Sequence, residues 1–130
     1  MANRAFTAPK ESEEQQALFE WAQLQSGRFP ELRLLYHVPN GGSRNKAEAA
    51  RLHAEGVKAG VPDLCLPVAR GGFHGLYIEL KRVRGGKASE EQKGWLECLE
   101  KQGYCAELCA GWQTAAETIV EYLTGGIKHG

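Results

Sequence analysis

The chain has 130 residues, of which 42% are apolar and 25% are charged, and its formal net charge is zero. This length suits one domain with a single core. The balanced charge argues against a general basic coat for nucleic acid and leaves local basic patches open.

The cysteines and the apolar runs bear on the compartment. None of the four cysteines forms a Cys-x-x-Cys pair, and no histidine stands beside one at zinc-ligand spacing. We therefore expect four reduced, structural thiols, which suits a cytoplasmic protein. We also expect no signal peptide and no membrane span, because no apolar run is long enough to cross a bilayer.

The first predicted element is an amphipathic helix. Residues 1–10 are polar and aperiodic, which predicts a flexible arm. From about Glu11 to Gln25 apolar residues recur at helical spacing, in the stripe Ala17, Leu18, Trp21 and Leu24. Continuing this stripe upstream reaches Glu14 and then Glu11, so both carboxylates are expected to point toward the body of the domain.

A strand and a short helix are expected next. The apolar run Leu32–Val38 predicts the strand, and Pro39–Gly42 is a strong turn signal. Ser43 is placed to cap a helix that continues to about Ala54. The apolar pattern of this helix is weak, so we expect it on the surface.

A β-hairpin carries the residues with the most evident chemistry. Its two apolar runs begin at Val61 and Leu76 and flank a glycine-rich turn. Alternation puts Glu79 and Lys81 on one face of the second strand, opposite an apolar face. Asp63 lies at the mouth of the first strand, so two carboxylates and a lysine come together. Such a trio makes either a metal site with a cationic neighbour or a cross-strand salt bridge.

The last third of the chain predicts a helix, a strand and a helix. Ser89 and Gln92 fit the capping box of a helix that ends at Gly103. A strand over Tyr104–Cys109 and a helix over Trp112–Leu123 follow. The strand–helix–strand crossover favours parallel pairing, whereas the hairpin is antiparallel.

The element order predicts an α/β fold in which a mixed central sheet is flanked by helices. We assign one domain to residues 11–124 and a flexible tail to residues 125–130. Basic residues on both sides of the hairpin are candidates for phosphate contacts that read no sequence, or form a solvated surface. They are Arg44, Arg51, Lys58, Arg82, Arg84 and Lys87.

Several other sequence segments are also informative. They are Tyr36–Gly42, Gly56–Leu64 and the Ser-x-x-Gln-x-x-Trp spacing from Ser89 to Trp95. Together with Pro62-Asp63 and Glu79-Leu80-Lys81, they resemble the VRR-NUC family of the PD-(D/E)xK nuclease superfamily, over nearly the whole chain. The resemblance implies a restriction-endonuclease-like αβββαβ core, with the Ser43–Ala54 helix as an insertion and the last helix as an addition.

The resemblance also implies a phosphodiesterase site that binds Mg²⁺ or Mn²⁺. Asp63 and Glu79 are the expected metal ligands, and the Leu80 carbonyl is a further one. Lys81 is then expected to orient the water or to stabilise the transition state. The family's glutamine at the position of Gln92 lies near the active site, a role that is compatible with the capping box.

A glutamate of the first helix belongs to the family's site as well. Glu11 and Gln15 match the family's Glu-x-x-x-Gln pattern, whereas Glu14 continues the apolar stripe more directly. Both glutamates remain candidates, and either could instead be a favourable charge at a helix N-terminus. Asn40 and Gly41 could contact a phosphate or form a turn that needs positive φ.

The implied activity is that of a metal-dependent DNA endonuclease, of a stand-alone kind that many phages encode. Its expected substrates are junctions, flaps or other branched DNA, in a bacterial cell or a phage-infected host. A homodimer would allow both paired strands of a four-way junction to be cut. The main alternative is a catalytically silent DNA-structure binding module with the same fold. A restriction-type nuclease and a metal-free hydrolase are less well supported.

Overall fold

The computed structural model describes residues 8–39 and 45–130, in which four strands form one sheet. In chain order the elements are α1 (Glu11–Gln25), a 3-10 helix (Pro30–Leu34), β1 (Tyr36–His37), α2 (Lys46–Ala54), β2 (Leu64–Leu66), β3 (Leu76–Lys81), α3 (Glu90–Lys101), β4 (Cys105–Ala110) and α4 (Trp112–Leu123). None of the helices in these two ranges has the length and apolar character that crossing a bilayer requires.

The sheet has the order β1-β2-β3-β4 and is mixed. β1 and β2, like β2 and β3, are antiparallel, whereas β3 and β4 run parallel across the α3 crossover. This topology confirms the expected α/β fold with a mixed sheet. Strand alternation and the crossover rule were enough to predict it, because both depend on the order of elements along the chain.

The core lies on one face of β3. Leu76, Ile78 and Leu80 are each only 1% exposed on that face. Helices α1 and α4 pack on each other and on β3, with Leu18 and Ile119 fully buried between the layers. Burial of these side chains supplies the main stabilisation of the domain.

The buried face of α1 differs from the predicted stripe. Glu14, Leu18 and Ala22 are its buried residues, at intervals of four, while Leu24 is 82% exposed. A helix turns by about 100° per residue, so Leu24 lies about 200° around the helix from the buried Ala22, away from the core. Placing Leu24 in the apolar stripe was therefore wrong.

The predicted strand Leu32–Val38 is mostly not a strand. Pro30–Leu34 forms a 3-10 helix, and only Tyr36–His37 joins the sheet. Leu32 and Leu35 are the buried residues here, and a separation of three suits a 3-10 turn rather than alternation.

Helix α2 begins later than expected. Its N-cap is Asn45, whose side chain accepts a hydrogen bond from the Glu48 N–H at 2.7 Å. The predicted cap, Ser43, lies outside the described residues. No α2 residue is buried, as expected for a surface helix.

The second half follows the prediction closely, with one difference in packing. Ser89 and Gln92 form the capping box of α3, and α4 spans Trp112–Leu123. No residue of α3 is buried, and its inward residues Trp95, Leu96 and Leu99 are only half-buried. Helix α3 therefore lies at the edge of the core rather than within it.

Both ends of the described chain touch the domain. Ala8, in the predicted arm, is buried. In the predicted tail, the His129 N–H donates to the Gly71 carbonyl at 2.8 Å, and the His129 and Phe73 rings form a T-shaped contact with centroids 5.2 Å apart. The segment after α4 therefore contacts the turn of the hairpin.

Replacing Leu18 by alanine tests the assigned face of α1. Leu18→Ala should lower the free energy of unfolding by about 2–5 kcal/mol, because it leaves a cavity in the core. Leu24→Ala is the matched control and should change stability by less than about 0.5 kcal/mol. Urea unfolding followed by circular dichroism measures both, and equal losses would contradict the assignment.

Candidate active site

The hairpin register brings two carboxylates together. The last pair of the β2–β3 ladder is Leu64 with Ile78, so the next residues in register are Asp63 and Glu79. Asp63 Oδ2 accepts a hydrogen bond from the Leu80 N–H at 2.9 Å. The Asp63 side chain therefore continues the connection between the strands where the backbone ladder has ended.

The backbone of Asp63 is held by β1. Its carbonyl accepts the Val38 N–H at 2.7 Å and lies 3.0 Å from His37 Nδ1. A carbonyl can only accept, so Nδ1 of His37 carries the proton of this contact. The ring of His37 also lines the cleft beside Asp63, a position that its location in a strand did not predict.

Glu79 is fully buried and lies against Asp63. Burial and the neighbouring Asp63 carboxylate raise the pKa of Glu79 to about 8. Glu11 adds to this effect, and the ammonium of Lys81 opposes it. In the absence of a further cation, the two carboxylates therefore share the site only with Glu79 largely protonated at neutral pH.

Gln92 makes both of its expected contacts at once. Its Oε1 accepts from the Ser89 N–H at 2.8 Å, which closes the capping box. Its Nε2 lies 3.3 Å from each carboxylate oxygen of Glu79. The start of α3 is thereby connected to the buried carboxylate of β3.

Lys81 pairs with the first helix rather than with the hairpin carboxylates. Its Nζ is 4.0 Å from Glu11 Oε2, and the Lys81 side chain is largely buried. Among the described residues, Lys81 forms no ion pair within 4.0 Å with Asp63 or Glu79. A cross-strand salt bridge was the alternative explanation of Asp63, Glu79 and Lys81. It is therefore absent from the described residues.

The structure separates the two glutamates of α1. Glu14 is 2% exposed, and its Oε1 accepts the Trp112 N–H at 3.2 Å, at the first residue of α4. A carboxylate there satisfies a free N–H and complements the helix dipole. Glu14 thus faces the N-terminus of α4, whereas Glu11 faces Lys81.

An open cleft of about 270 Å³ lies beside Asp63 and Glu11. It is lined by Glu11, Ser12, Gln15, His37, Asp63 and Leu80. A larger cavity of about 360 Å³ lies at the C-terminal segment, away from the hairpin carboxylates. We assign the site to the smaller cleft, because Glu11 and Asp63, two of the acidic residues that the sequence analysis singled out, line it.

The donor set suits a hard divalent cation. Asp63 and Glu79 offer carboxylate oxygens, and burial together with the neighbouring Asp63 carboxylate raises the pKa of Glu79. Within residues 8–39 and 45–130, no three histidine, cysteine or acidic side chains form a ready-made metal cage. A metal held here would therefore also need backbone, water or substrate oxygens.

The candidate phosphate-binding residues have different surroundings. Arg51 pairs with Glu55 at 3.2 Å, and the Arg82 guanidinium donates to the Ala8 carbonyl at 3.2 Å. The side chains of Lys58, Arg84 and Lys87 are exposed. Asn40, Gly41 and Arg44 lie outside the described residues.

Comparison of the chain with known proteins identifies its family. The model of the VRR-NUC domain matches residues 9–113. A solved structure described as "VRR_NUC domain protein" is 34% identical, with 96% of this chain and 97% of that chain covered and a TM-score of 0.82. No curated protein matches the chain. Because the match includes α1, the hairpin and α3, the chain belongs to the VRR-NUC family of nuclease-type, DNA-binding domains.

Proposed function

We propose that the chain is a divalent-metal-dependent endonuclease that hydrolyses phosphodiester bonds in DNA. The observation that carries the proposal is the meeting of Asp63 and Glu79 at the end of the β2–β3 ladder. Membership of the VRR-NUC family supports it independently. Glu79 is fully buried and lies beside the half-buried Asp63, and two adjacent carboxylates of this kind are costly without a cation.

Mg²⁺ or Mn²⁺ is the proposed cofactor. Asp63 and Glu79 would hold the ion, with the Leu80 carbonyl and Glu11 as further candidate ligands. A bound ion would supply positive charge that lowers the pKa of a water molecule and offsets the charge of the phosphate. Gln92 would keep the Glu79 carboxylate in orientation through its two 3.3 Å contacts.

Lys81 is the proposed electrostatic catalyst. Its ammonium is largely withdrawn from solvent and lies 4.0 Å from Glu11. In such a site a cation interacts more strongly with the charge that develops on phosphate oxygens than it would in water. Glu11, which remains half-exposed, would fix the position of that ammonium until substrate arrives.

Branched DNA is the proposed substrate class. The net charge of zero suits a limited number of phosphate contacts rather than a long duplex footprint. A homodimer would present two clefts to a four-way junction. β4 stands at one end of the strand order and carries the half-exposed Leu108, which makes its edge a candidate contact surface.

Cleavage of a DNA panel tests this function. Duplex, single-stranded, flap, splayed-arm and four-way-junction DNA would be incubated with Mg²⁺, Mn²⁺ or chelator. We expect metal-dependent cleavage of a branched form, lowered at least about 100-fold in Asp63→Asn and Glu79→Gln, because each removes a charged metal ligand. The exposed Glu20→Gln variant of α1 is the control.

The pattern of products would discriminate between the proposals. Symmetric nicks across a junction would support a dimeric enzyme, and cuts at a single-to-double-strand boundary would support a flap nuclease. Binding of branched DNA without cleavage under any metal would instead identify a silent binding module. Full activity in both carboxylate variants would show that the site is wrongly assigned.

Glu11 and its neighbours on α1 allow a narrower test. Glu11→Gln should lower the cleavage rate about 10-fold, because it releases the Lys81 ammonium while leaving the hairpin intact. Glu20→Gln should stay within about twofold of the wild-type rate. The measurement is single-turnover cleavage at saturating metal, and an unchanged rate in Glu11→Gln would remove Glu11 from the site.

The raised pKa of Glu79 predicts a pH-dependent stability of the metal-free protein. Its pKa is about 8 in the folded chain and 4.5 in the reference state, so folding favours the protonated carboxyl. This stabilisation is present below about pH 4.5 and is lost as the pH rises to about 8. In chelator, Glu79→Gln should therefore gain melting temperature relative to wild type between pH 6 and pH 8.5. A constant difference across that interval would contradict the assignment.

A further inference from the structure

We propose that α3 sets the position of both metal-binding carboxylates, and that Trp95 is the positioning residue on the Asp63 side. The inference rests on the proposed function, because it concerns the same site. It goes beyond that function by assigning a role to the loop that leads into β2 and to the indole that contacts this loop.

One side of α3 is connected to Glu79. The first turn carries Gln92, whose amide group donates to both Glu79 oxygens. The same side chain accepts the Ser89 N–H, so its rotamer is fixed by the helix cap. The position of the Glu79 carboxylate is therefore tied to the N-terminus of α3.

The neighbouring face of α3 is connected to the loop before β2. The Trp95 indole N–H donates to the Ala59 carbonyl at 3.0 Å. One helical turn earlier, the backbone of Glu91 lies so close to Gly60 that a Cβ on Gly60 would be 2.8 Å from it. Gly60 also has φ +88, so two properties of the site require glycine.

The segment from this contact to Asp63 is short and stiff. Gly60 is followed by Val61, Pro62 and Asp63. Proline fixes its own φ and restricts the residue before it, and Pro62 is fully buried. A displacement of the Ala59–Gly60 backbone is therefore transmitted to Asp63, because the two residues in between have little conformational freedom.

The other contacts of Asp63 determine how large the effect can be. Val38 and Leu80 each donate a backbone N–H to Asp63, so the carboxylate would stay in the site if the Trp95 contact were lost. Its distance from Glu79 would be less well defined, and metal ligation is sensitive to such displacements. We therefore expect weaker metal binding rather than loss of the site.

Trp95→Phe is the variant that separates the hydrogen bond from the packing. It keeps an aromatic ring at a half-buried position and removes the N–H that reaches Ala59. Trp21→Phe is the matched control. Trp21 is also half-buried, but it belongs to α1 and packs against the core. Gly60→Ala is a second variant, which pushes the loop from α3 by a different route.

Calorimetry of Mn²⁺ binding is the first readout. We expect the Kd of Trp95→Phe to rise about 10-fold, with Gly60→Ala showing at least the same increase and Trp21→Phe staying within about twofold of wild type. The Mn²⁺ concentration for half-maximal cleavage should rise by the same factor in Trp95→Phe. The rate at saturating Mn²⁺ should remain within about twofold, which a general loss of stability would not produce.

Amide hydrogen exchange supplies a readout that needs no metal. Exchange over residues 57–64 should become faster in Trp95→Phe and remain unchanged in Trp21→Phe. A Kd within twofold of wild type in Trp95→Phe, together with unchanged exchange over these residues, would overturn the inference. If wild-type protein bound no Mn²⁺, the proposed function and the inference would both be wrong. If wild type bound Mn²⁺ and only the Trp95→Phe expectations failed, the inference alone would be wrong.

Discussion

The end of the β2–β3 ladder is the constraint on which the site depends. Pro62 has no N–H to donate, so the backbone pairing cannot continue past Leu64. The Asp63 carboxylate accepts the Leu80 N–H instead. One residue thereby holds the strands together and places a carboxylate opposite Glu79. The cleft of the site lies at this end of the ladder, where Asp63 and Leu80 line it together with residues of α1.

The two faces of β3 serve different purposes. One face presents Leu76, Ile78 and Leu80 to α1 and α4 and builds the core. The other presents Glu79 and Lys81, both buried although both are ionisable. Burying such groups is unfavourable unless they are paired. Burial of apolar side chains on the core face therefore offsets the free-energy cost of burying Glu79 and Lys81 on the other face.

Helix α1 shows how packing separates residues that the sequence leaves equivalent. Glu11 and Glu14 are one turn apart and both follow from the same helical pattern. Glu11 reaches Lys81, whereas Glu14 is drawn to the first N–H of α4. Which partner each glutamate finds depends on the position of the first residue of α4, Trp112, which is 98 residues from Glu14 along the chain.

What the sequence by itself determined were the features that depend on local spacing. Alternation placed Glu79 and Lys81 on one strand face, the capping box marked the start of α3, and the crossover predicted parallel pairing with β4. These follow from strand period, cap chemistry and chain handedness. Tertiary structure alone decided the 3-10 helix at Pro30–Leu34, the exposed position of Leu24 and the contact of Trp95 with Ala59. The packing of α1 against α4, which leaves Leu24 exposed, and the contact between Trp95 and Ala59 join segments that are distant in sequence, which no local pattern records.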